Sequence, residues 1–445
     1  MRLRAWAWLA LSSIGWGILP AATRPRYGGT LTVELSNASL MLDPTRPLDS
    51  ASAQGHLSPA ITETLVRLDA RGAIEPQLAL AWQHDPDNKR WRFSLRPKVT
   101  FHDGDPLTAT NTAPALLAVL KRKYGDVSIT AGAQTIVIQF EHPMPELLAE
   151  LTRPETAISR KSDTNPVIGT GPFRLTAWEP GRRLTLAAFE DYWDGRPFLD
   201  SIVISLGTGP ARADVFDIPF GSTRRVVPEG TRIWASPPSE LIALLAANPQ
   251  STLLQALSLA IDRAPIVNVL TQRRGEPAFG ILPQWLSGYA FLFQTAPDLA
   301  RAKQLISQLR LPPISLTYSA NDSFARAVAD RVALNAHDAG ITIQPTTNPG
   351  GSLTLVRRPL ASVDAPAELI ILLNVLGAAD RAGMIDPTRP ETWFEAERAL
   401  LDDHRVIPLA YLPELYGLAP RVHNWEAVPK RDPYRLNLEN LWVDR

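Results

Sequence analysis

The sequence predicts an α/β chain of two or three domains built on mixed sheets. Three observations lead there. A chain of 445 residues is long enough to bury several large cores. Between 298 and 343 it alternates helix and strand. Asp298 opens a helix with Ala302, Leu305, Ile306 and Leu309 on one face, and residues 314–319 read as a strand. Residues 323–339 form a second amphipathic helix stopped by Gly340, and Ile341-Thr342-Ile343 starts the next strand. The third observation is the stretch 167–204. Phe173, Leu175 and Ala177 share one strand face, Glu179-Pro180-Gly181 is turn chemistry, 184–189 resumes a strand and 202–206 supplies another.

Composition narrows the function classes. Lys plus Arg and Asp plus Glu are both 45, so there is no basic field to hold nucleic acid and no acidic tail. The chain has no cysteine, which excludes disulfides, thiol catalysis, zinc-thiolate sites and a lipid-modified N-terminal Cys. Its 40 prolines suit many turns rather than a helical bundle. The N-terminus carries Arg2 and Arg4, an apolar run over 5–19, then Pro20-Ala21-Ala22. These are the three parts of a secretory signal peptide, expected over 1–22 with cleavage after Ala21, Ala22 or Thr23. An uncleaved anchor is the alternative, although the run is short for a membrane span. The mature protein is expected to be exported, soluble and periplasmic.

In chain order, residues 27–35 open with Tyr-Gly-Gly-Thr-Leu into an alternating strand, followed by a loop to Leu42-Asp43-Pro44. Trp91, Phe93 and Leu95 alternate after the turn Asp85-Pro86-Asp87-Asn88. Thr110 or Asn111 is expected to cap a helix with Pro114 in its first turn. Ile136, Ile138 and Phe140 mark a strand, and 143–151 is expected to be a short helix. Residues 240–248 read as a strand buried on both faces. Ser251 or Thr252 caps a helix with Leu253, Leu257, Ala260 and Ile261 on one face. Residues 391–401 form a helix, 406–411 a returning strand, and 438–442 close the chain.

Several of these stretches share an order with one family. Gly169, Thr170, Gly171, Pro172, Phe173, Trp178, Pro180, Gly181, Tyr192, Trp193, Gly195 and Pro197 follow its signature across one segment. Glu63, Leu65, Val66, Gly72, Pro76, Leu78, Ala79, Trp82, Phe93, Leu95 and Arg96 follow it in a second. Ala260-Ile261-Asp262-Arg263 is a third match. On these residues the chain resembles the family 5 extracytoplasmic solute-binding proteins, the oligopeptide and dipeptide receptors of ABC importers, as a shortened member. The resemblance implies the two-lobed periplasmic-binding-protein fold of type II, with mixed sheets, an extra subdomain and a hinge between the lobes. Lobe I would comprise 27–50, 163–236 and 405–445, with 51–162 as its inserted subdomain, and lobe II would be 237–404. It implies a receptor that closes on a peptide or similar small solute and presents it to a membrane permease. Such a receptor needs no cofactor and no metal, and is expected to be a monomer. Asn37, Ser39 and Met41 would lie at the cleft mouth. Trp285 and Tyr289, in a Gly-x-Pro loop over 275–289, would supply flat apolar walls.

The residues that invite other chemistry read more simply. His102 and Asp103 are adjacent on an extended segment, so their side chains diverge. Asp262-Arg263 reads as a local ion pair or helix cap. Asp402-Asp403-His404 are consecutive and read as a solvated helix end. Gly207-Thr208-Gly209-Pro210 lacks the Lys-Ser or Lys-Thr of a phosphate loop and reads as a turn. No Gly-x-Ser-x-Gly and no His-Glu-x-x-His occurs. No catalytic residue is therefore assigned. The alternative reading is a non-transport sensor or scaffold on the same fold, suggested by the short link after 207 and by the divergent segment 359–389. A hydrolase working through unrecognised carboxylates is the third.

Overall fold

The structure, a computed structural model, describes residues 24–36, 59–69, 73–162, 166–207, 212–221, 226–248, 252–289, 293, 296–309, 312–360, 362, 364–387, 389–425 and 438–444. The expected signal peptide and the loop bearing Asn37, Ser39 and Met41 lie outside the described residues.

The first sheet has seven strands. Thr30–Leu35 lies in its interior, parallel to Ser201–Leu206 on one side and to Val215–Asp217 on the other. Arg183–Ala188 and Phe173–Glu179 extend one edge, and Leu415–Leu418 and Arg232–Ala235 the other, all by antiparallel pairing. The period-2 pattern puts Leu31, Val33, Leu35, Leu184, Leu186, Ile202 and Ile204 into one core, closed by Trp425 and Leu441 from the C-terminal segment.

A four-stranded antiparallel sheet is inserted before it, in the order Ala79–His84, Arg90–Leu95, Thr135–Phe140, Val127–Ala131. The helix Ala109–Tyr124 supplies Leu116 and Leu120 to the same core as Trp91, Phe93, Ile136 and Ile138. Thr108 caps this helix in a reciprocal box with Asn111. Pro114 sits in the second turn rather than the expected first, where it withholds an N–H from the ladder. The helix expected over 143–151 is only Leu147–Glu150. Pro145 bars Met144 from helical geometry, and the Met144 amide bonds the Asn88 carbonyl instead.

The second large sheet has six strands, in the order Glu276–Pro277, Val406–Leu412, Glu240–Ala246, Leu353–Pro359, Ile314–Thr317, Ile343–Thr346. The last begins two residues later than the sequence pattern suggests, and the Thr342 carbonyl accepts the Ile314 amide where the parallel pairing starts. Glu240–Ala246 is buried on both faces, as expected. Ile242 and Leu244 join the core under helices Thr252–Ala260 and Ser323–Asp338, while Leu241 and Ala243 join the core under Ala365–Val375 and Pro390–Asp402.

Two chain segments join the large sheets. Residues 236–239 leave the first for the second, and Pro413-Glu414 return. They run side by side. The Ser236 amide donates to the Glu414 carbonyl at 2.9 Å, the Glu414 amide to Ser236 Oγ at 2.9 Å, and the Ser239 amide to the Leu412 carbonyl at 2.8 Å. Pro237, Pro238 and Pro413 restrict φ through the crossing.

Candidate ligand-binding cleft

Strand polarity places the cleft. Val406–Leu412 leaves its sheet by its C-terminal end, and Leu353–Pro359, Ile314–Thr317 and Ile343–Thr346 run the same way. In the first sheet Arg232–Ala235 enters the crossing by its C-terminal end, and Val215–Asp217, Thr30–Leu35 and Ser201–Leu206 share its direction. Each large sheet thus turns the C-terminal ends of its parallel strands toward the other. In open α/β sheets ligands bind outside those ends.

On the first sheet these ends are Ser36, Gly207 and residues 218–221. Asp217 holds Ser36 with both oxygens, taking its amide at 2.9 Å and its hydroxyl at 2.5 Å. The departure point of the Asn37–Met41 loop is therefore fixed. Phe220 and Gly221 reach across to the second sheet's helix Ser323–Asp338. The Phe220 and Phe324 ring centroids are 5.5 Å apart, and Ser323 Oγ donates to the Gly221 carbonyl at 3.0 Å. Gly221 has φ +75°, and an added Cβ would stand 2.9 Å from the Phe324 amide nitrogen. Only glycine allows this approach without strain.

On the second sheet the ends carry Arg357 and Arg358. Arg357 is held by Glu240 through two bonds, at 3.0 and 2.7 Å, and by Asp322 at 2.8 Å. Burial alone would lower its pKa, but the two carboxylates outweigh this and raise it. Asp322 also caps the helix by accepting the Ala325 amide at 2.9 Å.

Trp285 stands at the hinge. Its Nε1 donates to the Pro238 carbonyl at 2.8 Å, and the residue is half-buried. Tyr289 is directed inward. Its hydroxyl donates to Glu397 at 2.8 Å, and its ring packs on Phe293 and Phe394. Glu397 is fully buried and also accepts the Ile281 and Leu282 amides at 2.5 and 3.1 Å. Burial pushes its pKa up to about 7 against these donors. The two half-buried aromatics proposed as walls are thus held differently, one by the crossing and one by a buried carboxylate. Nothing in the local sequence announces Glu397, which is one polar position of an amphipathic helix.

The motif-rich stretches prove to be scaffold. Glu63 is fully buried and receives Thr170 Oγ1 at 2.8 Å, the Tyr192 hydroxyl at 2.9 Å, Trp193 Nε1 at 3.0 Å and Gln77 Nε2 at 3.2 Å. One carboxylate therefore binds together the two segments with the densest matches. Desolvation raises its pKa despite the four donors. Gly169 passes so close that a Cβ would lie 1.9 Å from the Ile61 carbonyl oxygen.

The His102 ring accepts the Gly169 amide at Nδ1, at 3.3 Å, and therefore donates from Nε2 to the Gly171 carbonyl at 3.0 Å. Burial pushes its pKa down to about 4. Asp103 pairs with Arg160 instead of with its neighbour. Asp262 caps the Ala264 amide, and Arg263 donates to the Pro408 carbonyl. Asp403 pairs with Arg381. Among the described residues, no three His, Cys, Asp or Glu side chains converge as a metal site. Among them, too, no single helix is long and apolar enough to cross a membrane. A recess of about 660 Å³ between Lys89, Asp126, Gln139 and Glu141 lies on the small inserted sheet.

Comparison with known proteins agrees with this architecture. Residues 73–216 match the model of the bacterial extracellular solute-binding proteins, family 5, middle region. The nickel-binding protein NikA of Staphylococcus aureus is 33% identical over 153 residues, which is 32% of this chain and 31% of that protein. The probable D,D-dipeptide-binding periplasmic protein DdpA of Escherichia coli is 25% identical over 311 residues, 61% of this chain and 60% of that one. The chain thus spans less than two thirds of the length of either relative. The ABC transporter substrate-binding protein CtaP of Listeria monocytogenes superposes with a TM-score of 0.78 at 19% identity, over 94% of this chain and 100% of that one. The fold is that of the two-lobed periplasmic binding proteins, and residues 73–216 are similar to the middle region of the family 5 solute-binding proteins.

Proposed function

We propose that this chain is an extracytoplasmic receptor that delivers a peptide or similar small solute to an ABC-type importer by lobe closure. One observation carries the reading: two hydrogen-bonded crossings are the chain's route between two sheets whose C-terminal strand ends face each other. Such a joint lets the lobes rotate as rigid bodies and enclose a ligand between them. The first lobe is then 27–50, 163–236 and 405–445, with 51–162 inserted, and the second is 237–404. Buried hydrogen bonds supply affinity, and the closed pair of lobes presents one surface to a permease. The names of the relatives, which refer to dipeptides and nickel, support a small-solute class. Asn37, Ser39, Met41 and the exposed parts of Trp285 and Tyr289 are the proposed contacts. Export through residues 1–22 would place the mature, monomeric protein in the periplasm.

The test is a thermal-shift screen of di- to tetrapeptides, nickel–histidine complexes and culture-medium extract, paired with solution scattering. A binding solute at a hundred times its Kd stabilises by about 2.7 kcal/mol. The expected result is a higher Tm together with a smaller radius of gyration. No shift and no compaction with any of them would remove the receptor reading.

A further inference from the structure

Arg357 and Arg358 end the same strand but meet different fates. In Leu353–Pro359, Leu353 and Leu355 pack under the Ser323–Asp338 helix, and Val356 packs on the opposite core. Alternation therefore puts Arg357 on the first face and Arg358 on the second. Arg357 is neutralised by Glu240 and Asp322. Arg358 has no ion pair and no hydrogen-bond acceptor among the described residues. Its Nε is sealed from solvent without a partner, although the residue as a whole is only half-buried. The accessible part of the side chain therefore includes its terminal amine nitrogens, the other donors of the fork.

Its position is cleft-proximal. Arg358 is opposite Leu241, and two residues on the Leu360 amide donates to the Ser239 carbonyl of the crossing at 2.7 Å. Trp285 is bonded to Pro238, the residue before Ser239. A half-buried cation thus stands at the end of a strand that faces the other lobe, two residues before the bond that ties this strand to the crossing.

A guanidinium with no partner among the described residues is costly in such a place, and closing the lobes raises the cost by removing more water from it. A ligand carboxylate removes the penalty, because its two oxygens match the guanidinium fork. A neutral ligand leaves the cation desolvated and unpaired, so the same residue selects against it. We propose that the solute carries a carboxylate and that Arg358 holds it in the closed cleft. This rests on the receptor reading above and adds the charge class of the ligand.

The experiment compares L-alanyl-L-alanine and succinate with L-alanyl-L-alanine amide and succinamide, at constant ionic strength, by thermal shift and calorimetric titration. The proteins are the wild type, Arg358→Gln, Arg358→Lys and Arg331→Gln. Arg331 is the control: its Nε also lacks a partner, but it lies mid-way along the Ser323–Asp338 helix. The wild type is expected to prefer at least one acid over its amide by roughly ten-fold or more, as a charged hydrogen-bond pair requires. Arg358→Gln should abolish that preference, Arg358→Lys should keep part of it, and Arg331→Gln should keep all of it. Circular dichroism and the ligand-free Tm establish that each variant folds. Equal response to acids and amides, no response of the wild type to either acid, or a preference surviving in Arg358→Gln would overturn the assignment. If medium extract still compacts the wild type in scattering under any of these outcomes, the receptor reading stands and the carboxylate anchor alone falls.

Discussion

Glu63 and His102 are the residues on which the recognisable part of this sequence depends, and neither needs to touch a ligand. Glu63 gathers donors from Gln77, Thr170, Tyr192 and Trp193, so segments more than a hundred positions apart are specified together. His102 spends one ring nitrogen as acceptor and the other as donor on the backbone of Gly169 and Gly171. Protonation at Nδ1 would set a donor against a donor. The folded pKa of about 4 lies below the ordinary 6.5, so the folded state binds fewer protons than the unfolded chain in that interval. Stability from this group is present above pH 6.5 and is lost as pH falls toward 4. At about 1.4 kcal/mol per unit, the loss reaches roughly 3 kcal/mol before any discount for partial exposure. Urea unfolding between pH 7 and 4 should therefore show a weaker acid dependence in His102→Gln than in the wild type. Glu397 works in the opposite direction. Its folded pKa of about 7 exceeds the ordinary 4.5, so its contribution is full below 4.5 and is lost as pH rises through 7. The His102 comparison isolates its own part because Glu397 is present in both proteins.

At the scale of elements, the strand 215–217 and its continuation to Gly221 form a cross-lobe contact distinct from the two crossings. Phe220 packs against the second lobe's core, and Gly221 brings its backbone against the first turn of the Ser323–Asp338 helix. Gly221→Ala meets both a positive φ and a Cβ position 2.9 Å from Phe324 backbone and side-chain atoms. The helix start or the loop must move. Expected is a destabilisation of about 1–3 kcal/mol by chemical denaturation, with a changed ligand-free radius of gyration in scattering. A variant with wild-type stability and shape would show that this loop does not set the lobe angle. Element boundaries were legible where period and punctuation agreed. Asp298 does cap its helix, and Pro180-Gly181 does turn the hairpin. They were misread where proline interfered with a helical pattern, at Pro114 and Pro145, because a hydrophobic period does not register a missing N–H.

For the whole molecule, each large sheet has its own core, and among the described residues the link between them is two short crossings with a few polar bonds and the Phe220 contact. Two bodies so joined are expected to unfold with limited coupling when empty, and two-state behaviour is not assured. Differential scanning calorimetry should show a broad or split transition without ligand and a sharper, higher one with a bound solute, since in the proposed receptor the ligand touches both lobes. A single sharp transition in the empty protein would show that the hinge region couples the lobes more strongly than its bonds suggest. The balance of 45 cationic and 45 anionic side chains leaves little net field to steer a ligand, so selectivity falls to local groups such as Arg358.

The sequence alone determined the scaffold: the strands of 167–206, the doubly buried strand from Glu240, the helix–strand alternation after Asp298 and the motif order that resembles one family. These follow from periodicity, turn residues and motif order, all of which are local along the chain. Only the tertiary structure decided which polar side chains remain free to act. Trp285 and Tyr289 are alike in sequence, yet one is bonded at the hinge and the other to a buried carboxylate. Arg357 and Arg358 are neighbours of one type, yet only Arg357 finds Glu240 and Asp322. Pairing is set by which residues meet across strands and helices far apart in the chain, and one-dimensional spacing does not carry that information.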